Sequence, residues 1–381
     1  LAAQIAQILR TQCELMLQSN KRLPGVTVSV AMPDGMLASA AAGYADRQLQ
    51  RPMTISAKMP AGSIGKTFVA AVVLSMVADG ILVLDAPIAP WFANTNWFCR
   101  LPNYKTITLR HLLNHSSGLI DHVFDTGVGF SNFIKQKLVD EMLHQPIAAE
   151  ELIQFALDRP PLFLAGMGFH YSDTGYVLIG MLIERASSAS YYATLSQRLL
   201  KPRHLADTLA FDCIDMPRLV QGYAQQSRRL FGIPKRMLEH GQLVLHPSLE
   251  WTGGGIVSTT ADLVRWAKAL FEGSVLTPVL LTQMLTSIAR PKPLADDTGC
   301  MLGYGLGVNI VKSAFGTCYR HDGFFPGYNS VLAYFPDKKI AIAMQVNTDN
   351  VSMEAYFKAL ITAVFYHLEQ HENCDSIIDN I

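Results

Sequence analysis

The sequence is short of charge. Of its 381 residues only 16% are charged, 31 basic and 31 acidic, so the formal net charge is zero, where about 25% charged is usual. With no basic excess and no basic stripe, nucleic acid is excluded as a partner. Half the residues are hydrophobic, a balance opposite to that of a disordered chain. No apolar run is long enough to span a bilayer, which needs about 20 residues; the longest goes from Phe68 to Leu74 and on past Ser75 to Ala78, so membrane association is not indicated. The six cysteines (Cys13, Cys99, Cys213, Cys300, Cys318, Cys374) contain no C-x-x-C pair, which argues against a zinc ribbon. They allow 15 disulfide pairings and the sequence selects none, so free buried thiols are expected. The chain starts at Leu1 with neither Met nor a charged-then-apolar leader, which reads as an export signal already removed or never present. What remains is a globular chain with a large core, long enough for two units or for one unit with an insertion.

Apolar positions Ile5, Ile8, Leu9, Leu15 and Met16 recur at near-helical spacing and predict a helix over 4–18. Val26 to Met32 and Met36 to Gly43 flank Pro33-Asp34-Gly35, the pattern of a β-hairpin. From Ser63 to Asp79 the chain is apolar nearly all round, as in a helix buried in the core, and Gly80 should end it. Helical signal dominates 81–250, clearest at Asp173–Ala186 and Tyr191–Leu200. A helix over 261–272 follows, with Asp262 in its first turn. Alternating runs near 303–311, 317–321, 329–335 and 340–346 read as strands, and a last helix covers 353–370. Strands at both ends around a helical middle predict an α/β unit formed by 1–80 and 251–381, holding a mostly helical subdomain at 81–250.

Residues 60–67, Pro-Ala-Gly-Ser-Ile-Gly-Lys-Thr, superficially match three motifs. A P-loop requires a glycine where Pro60 stands and a buried strand before it, and 51–59 supplies none. Ala61-x-Ser63-x-Gly65 has the outline of a nucleophile elbow, but lacks the preceding strand and the following βα units. The third match is S-x-x-K, Ser63-Ile64-Gly65-Lys66. A chain with 23 serines and 14 lysines contains about one such match by chance, yet the chemistry is sound. Residues i and i+3 share a helix face, so the Lys66 ammonium can reach the Ser63 hydroxyl. A helix start also leaves backbone N–H groups free for a developing oxyanion.

Tyr171-Ser172-Asp173 then opens a helix, and His321-Asp322-Gly323 closes a late strand. In order and spacing the three segments resemble the motifs of the serine β-lactamase and penicillin-binding protein superfamily, in its class C-like branch. The stretches 80–85, 107–119 (Ile-Thr-Leu-Arg-His-Leu-Leu-Asn-His-Ser-Ser-Gly-Leu), 253–263 and 327–330 resemble that branch too, so the likeness runs from about residue 20 to 370. It implies an antiparallel sheet flanked by helices plus the helical subdomain. It also implies Ser63 as acylated nucleophile, Lys66 and Tyr171 as a coupled proton-transfer pair with Tyr171 acting as phenolate or relay, and His321 in place of the third-motif lysine. The backbone N–H groups of Ser63 and Phe324 would form the oxyanion hole, with Asp173, Asp322 and Gly323 facing substrate. No cofactor or metal is implied.

Two positions depart from the pattern. Asp173 stands where Asn is common; ionised, it only accepts hydrogen bonds and can pair with Lys66. Asp322 stands where Thr often helps to bind a substrate carboxylate, and its charge would repel one. Strong β-lactamase activity and tight binding of a C-terminal carboxylate are therefore not expected. The resemblance implies a serine hydrolase of peptide, amide, ester or β-lactam substrates: a D-alanyl-D-alanine carboxypeptidase or β-lactamase-like enzyme first, a D-amino-acid amidase, aminopeptidase or esterase second. A catalytically silent penicillin-binding-like module is the competing class. The family's usual substrates suggest a periplasmic or secreted location, with the cytoplasm left open. His111, His115, His122 and Asp121 lack the H-E-x-x-H order and read as structural. Trp91, Phe92 and Trp97 read as core or cleft wall, and Tyr304 and Phe325 as cleft lining or packing. His144, His204, His240, His246, His367 and His371 belong to no motif.

Overall fold

The computed structural model describes residues 1–288 and 300–378. Its centre is an eight-stranded antiparallel sheet in the order Arg51–Pro52, Leu37–Asp46, Gly25–Ala31, Ile340–Val346, Tyr328–Phe335, Gly316–Phe325, Asn309–Ser313, Cys300–Tyr304. The N-terminal hairpin thus pairs with the last strand of the chain, Val26 opposite Val346 and Val30 opposite Ile342, which brings both termini into one sheet. Period-2 patterning assigns the faces. Val26, Val28, Val30, Ile340, Ile342 and Met344 pack with residues of the terminal helices Ala2–Ser19 and Met353–Ile378. Ser29, on the other face, hydrogen-bonds Thr260 at 2.8 Å, at the start of helix Thr260–Phe271. Because both faces are covered, the central strands are buried along their whole length.

The region 81–250 contributes short helices, among them Leu109–Leu113, Phe130–Val139 and Gln226–Phe231, around the longer Asp173–Ser187. Long loops join them. The expected helix Tyr191–Leu200 is α-helical to Leu195 and completes its course as a π-helical turn, Ser196–Leu200. A small sheet not foreseen in the sequence, Met59–Pro60, Ile256–Ser258 and Leu209–Ala210, ties the segment before Ser63 to the glycine-rich loop at 253–255. The run expected at 303–311 divides into two strands, since Gly305 and Gly307 turn the chain between Tyr304 and Asn309. Cys13 and Cys318 are free and buried, as expected of the six cysteines, whereas Cys99 and Cys213 are free but exposed. The side chains of Cys300, Cys374 and His371 lie outside the described residues. Among the described residues no helix is long and apolar enough to cross a membrane.

Candidate active site

Ser63 lies on a single 3₁₀ turn, Gly62–Ile64, ahead of the α-helix Gly65–Ala78, rather than within an unbroken helix from 63. Gly62 explains the offset: its φ is +55°, and a Cβ there would collide with the Phe324 backbone nitrogen. Only glycine admits both the left-handed conformation and this contact, which sets the Ser63 turn against the end of strand Gly316–Phe325. Ser330 holds the same junction by donating to the Ala61 carbonyl at 2.7 Å. One turn on, Gly65 packs its bare Cα against the Gly254 carbonyl, so the 253–255 loop reaches Lys66. The helix itself is fixed by Trp266, stacked on Phe68 at 3.9 Å and donating to Thr67 Oγ1 at 2.9 Å.

Lys66 is wholly buried, and its ammonium has three protons and three acceptors. It donates to Ser63 Oγ at 3.0 Å, Asp173 Oδ1 at 2.5 Å and the Gly253 carbonyl at 2.5 Å. The Tyr171 and Tyr176 rings lie 4.8 and 5.0 Å from the same nitrogen, positions from which a π-face stabilises a cation. Tyr171 donates its hydroxyl to Ser63 Oγ at 2.9 Å. Removal from water, reinforced by the charge of Asp173, pushes the Tyr171 phenol well above its ordinary range. Of the two roles expected for Tyr171, phenolate or relay, that direction favours the relay.

The histidines of 107–122 position this segment. Ser172 caps helix Asp173–Ser187 through Gly175 N–H, donates to the Ile120 carbonyl at 2.7 Å, and gives its backbone N–H to His115 Nδ1 at 3.1 Å. His122 Nδ1 meets the Thr174 hydroxyl at 3.0 Å, and His111 closes the capping box of helix Leu109–Leu113. No group of three or more potential metal-ligating side chains occurs among the described residues. Asp121 accepts from Val123 N–H at 2.9 Å; burial, with the charge of Asp173 behind it, pushes its carboxyl well above the usual range. The hydrogen bond between Asp125 and His170, at 2.8 Å, was not foreseen.

On the opposite wall, His321 is buried and its Nδ1 donates to the Asp322 carbonyl at 2.7 Å, while Nε2 meets the Tyr304 hydroxyl at 2.9 Å. Its ring centre stands 6.5 Å from that of Tyr171. Asp322 corrects an expectation. Its carboxylate is not an unbalanced charge in the cleft but is held by Arg320, with Nε at 3.0 Å and Nη2 at 2.9 Å from Oδ1. Residues two apart on a strand share a face, which is how Arg320 reaches it. The same guanidinium also binds Glu354 from the last helix, with 3.0 Å between Nη1 and Oε1. Gly323 faces the Ala61 carbonyl, where no side chain fits.

Two cavities meet at Ser63. The larger, about 460 Å³, is polar and lined by Tyr171, Arg320, His321, Asp322, Asn329 and Glu354. The other is narrow and apolar, walled by Phe130, Ile134, Ile147, Phe231, Leu245 and Phe325, with Asp173 and Glu250 as its carboxyl groups. Glu250 was missed in the sequence; the only signal was its place three residues before the 253–255 glycines.

A serine held by a buried lysine and a tyrosine, beside an antiparallel sheet closed by both termini, defines a β-lactamase/transpeptidase-type fold and site. Residues 5–363 match the Beta-lactamase family model, and the chain belongs to that family. Penicillin-binding protein 4* of Bacillus subtilis strain 168 is 25% identical over 312 residues, covering 78% of this chain and 62% of that protein. The chain thus spans less than two-thirds of that relative's length. Esterase EstB of Burkholderia gladioli is 29% identical across 71% of this chain and 70% of its own. Among solved structures, D-amino acid amidase from Ochrobactrum anthropi SV3, complexed with D-phenylalanine, has a TM-score of 0.78 at 23% identity, over 97% of this chain and 99% of that one. That likeness is one of fold.

Proposed function

We propose that the chain is a serine hydrolase that cleaves amide or ester bonds of small substrates through an acyl-enzyme on Ser63. The observation that carries this reading is the convergence of Lys66 Nζ and Tyr171 Oη on Ser63 Oγ, at 3.0 and 2.9 Å, where both cavities open. Ser63 Oγ attacks the carbonyl carbon, and its proton enters the Lys66–Tyr171 network. The backbone N–H groups of Ser63 and Phe324 would meet the oxyanion, a reading supported by the close approach of Gly62 to the Phe324 nitrogen. The network returns the proton to the leaving nitrogen or oxygen, and water then cleaves the Ser63 ester by the same steps.

Asp173 alters how the proton is stored. With all three Lys66 protons engaged, the ammonium can take the serine proton only by first passing one of its own to Asp173, across 2.5 Å. The neutral amine then accepts from Ser63 directly or through Tyr171. An Asn at 173 could not accept that proton. Penicillin-binding proteins and an esterase among the relatives support acyl transfer to water from peptide-like or ester donors. The intact Ser63, Lys66 and Tyr171 set argues against a silent module. A fluorophosphonate or penicillin pulse should add one adduct, on Ser63, by intact-protein mass spectrometry. Ser63→Ala should remove it without loss of fold, and an adduct surviving the substitution would overturn the assignment.

A further inference from the structure

Resting on that hydrolase reading, we propose that Glu250 is the anchor of the apolar cavity for an ammonium group, so that the enzyme prefers acyl groups carrying a free amine beside the scissile carbonyl. Glu250 lies in the loop before Trp251 and lines the same cavity as Ser63 and Asp173. The walls are aromatic and aliphatic, and none of the lining residues is Lys or Arg. Lys66, the nearby cation, is already matched to Ser63, Asp173 and Gly253. His246, the other titratable lining group, uses Nδ1 on Ser248 at 2.9 Å, and burial lowers its proton affinity. One Glu250 oxygen accepts a long bond, 3.3 Å, from Gly255 N–H.

A carboxyl so placed is costly to ionise unless a positive charge joins it. The groups around it are Lys66, Asp173, Tyr171, Tyr192 and His246; the lysine and Asp173 cancel, and the tyrosines and the histidine are neutral. Burial pushes Glu250 up to about 8, so near neutral pH it is mostly protonated in the free enzyme. An entering ammonium forms an ion pair with the carboxylate, and the carboxyl proton leaves to solvent. Ser63 and Glu250 line one cavity with the apolar side chains, so an acyl group that enters it meets the serine, the carboxyl and the apolar walls together.

The alternative role is purely structural: Glu250 as the latch that fixes Gly255. Glu250→Gln separates the two, since the amide oxygen still accepts from Gly255 N–H while the charge is lost. Phenylalanine methyl ester (each enantiomer) and 3-phenylpropanoic acid methyl ester share a leaving group and ring and differ in the amine. At pH 6.5, Glu250→Gln should lower kcat/KM about 20-fold or more for the better amino ester and leave the neutral ester within about threefold. Phenethylammonium binding, by calorimetry in buffers of different ionisation enthalpy, should release close to one proton at pH 7 in the wild type. In the variant it should release none and be about tenfold weaker, with 2-phenylethanol unaffected. Equal losses on both esters, or ammonium binding without proton release, would overturn the anchor. If neither ester turns over and Ser63 takes no label, the hydrolase reading fails instead, and calorimetry still judges Glu250.

Discussion

The helix side and the strand side of Ser63 both place a cation beside carboxylates, but under different conditions. Lys66 and Asp173 are enclosed, and each ammonium proton has one acceptor at 3.0 Å or less. Arg320 is shared by Asp322 and Glu354, and the Asp322 side chain is 58% exposed. In the first pair, losing one partner strands a charge away from water, at a cost of several kcal/mol. In the second, Arg320 itself is only 11% exposed and keeps Glu354 if Asp322 is lost; the Asp322 end faces water, which screens it, and such a solvent-facing contact contributes about 0–1 kcal/mol. The helix side is thus suited to moving a proton within fixed geometry. The strand side is suited to adjusting which substrates are tolerated.

The sharpest test of that contrast is to disrupt the helix side. Lys66→Ala and Tyr171→Phe should each lower kcat by about 10²–10⁴-fold, the range for lost acid–base help. The double variant should be far less impaired than the product of the two, because they serve one oxygen. Multiplying losses in a steady-state cycle would show two independent roles. Asp173→Asn, which preserves shape and removes the proton acceptor, should lower kcat for a neutral ester by about 10²-fold, with Ser63 labelling stoichiometry unchanged. An unaltered kcat would show that Asp173 is not the acceptor of the Lys66 proton.

What was legible in the sequence follows from how local each feature is. Ser63 and Lys66 are one turn apart, Tyr171 and Asp173 belong to one helix start, and His321 to Gly323 are consecutive on a strand, so each motif carries its own geometry. Neither the shared use of Arg320 by Asp322 and Glu354, 34 residues away, nor the meeting of Glu250 with the Ser63 cavity is local. Both depend on packing between distant segments. The 3₁₀ turn at Ser63 was hidden for a related reason: the apolar pattern of 63–79 records burial, whereas the offset comes from contact between Gly62 and Phe324. Likewise the strand run near 303–311 carried the right periodicity but not the turn that folds it back.

The next effect concerns how the helix side is braced. His122 is buried, and loss of hydration lowers its imidazole to about 4, against about 6.5 in an unfolded chain. Between these values the unfolded state binds the proton and the folded state does not, so stability falls as pH drops from about 6.5 to 4. The slope approaches about 1.4 kcal/mol per pH unit once the unfolded histidine is charged. Denaturation at pH 7 and pH 5 should show the wild type losing about 1–2 kcal/mol more than His122→Gln. Equal losses would mean that this imidazole is not held neutral behind Thr174.

The smallest expected effect is on the strand side, and it tests whether Arg320 already neutralises Asp322. Were Asp322 a lone charge, replacing it by Thr would raise kcat/KM for a carboxylate-bearing substrate steeply. Because Arg320 holds it at 2.9–3.0 Å, the substrate meets a screened pair, and the gain should be modest. Asp322→Thr should improve turnover of a D-Ala-D-Ala peptide or nitrocefin about threefold to tenfold, near 1 kcal/mol. The released guanidinium still binds Glu354 and so offers only part of its charge to the substrate. Neutral esters should stay within about twofold, and stability within about 1 kcal/mol. A gain of a hundredfold would mean that Arg320 does not hold Asp322 in solution, and the distinction between a fixed helix side and a screened strand side would fail.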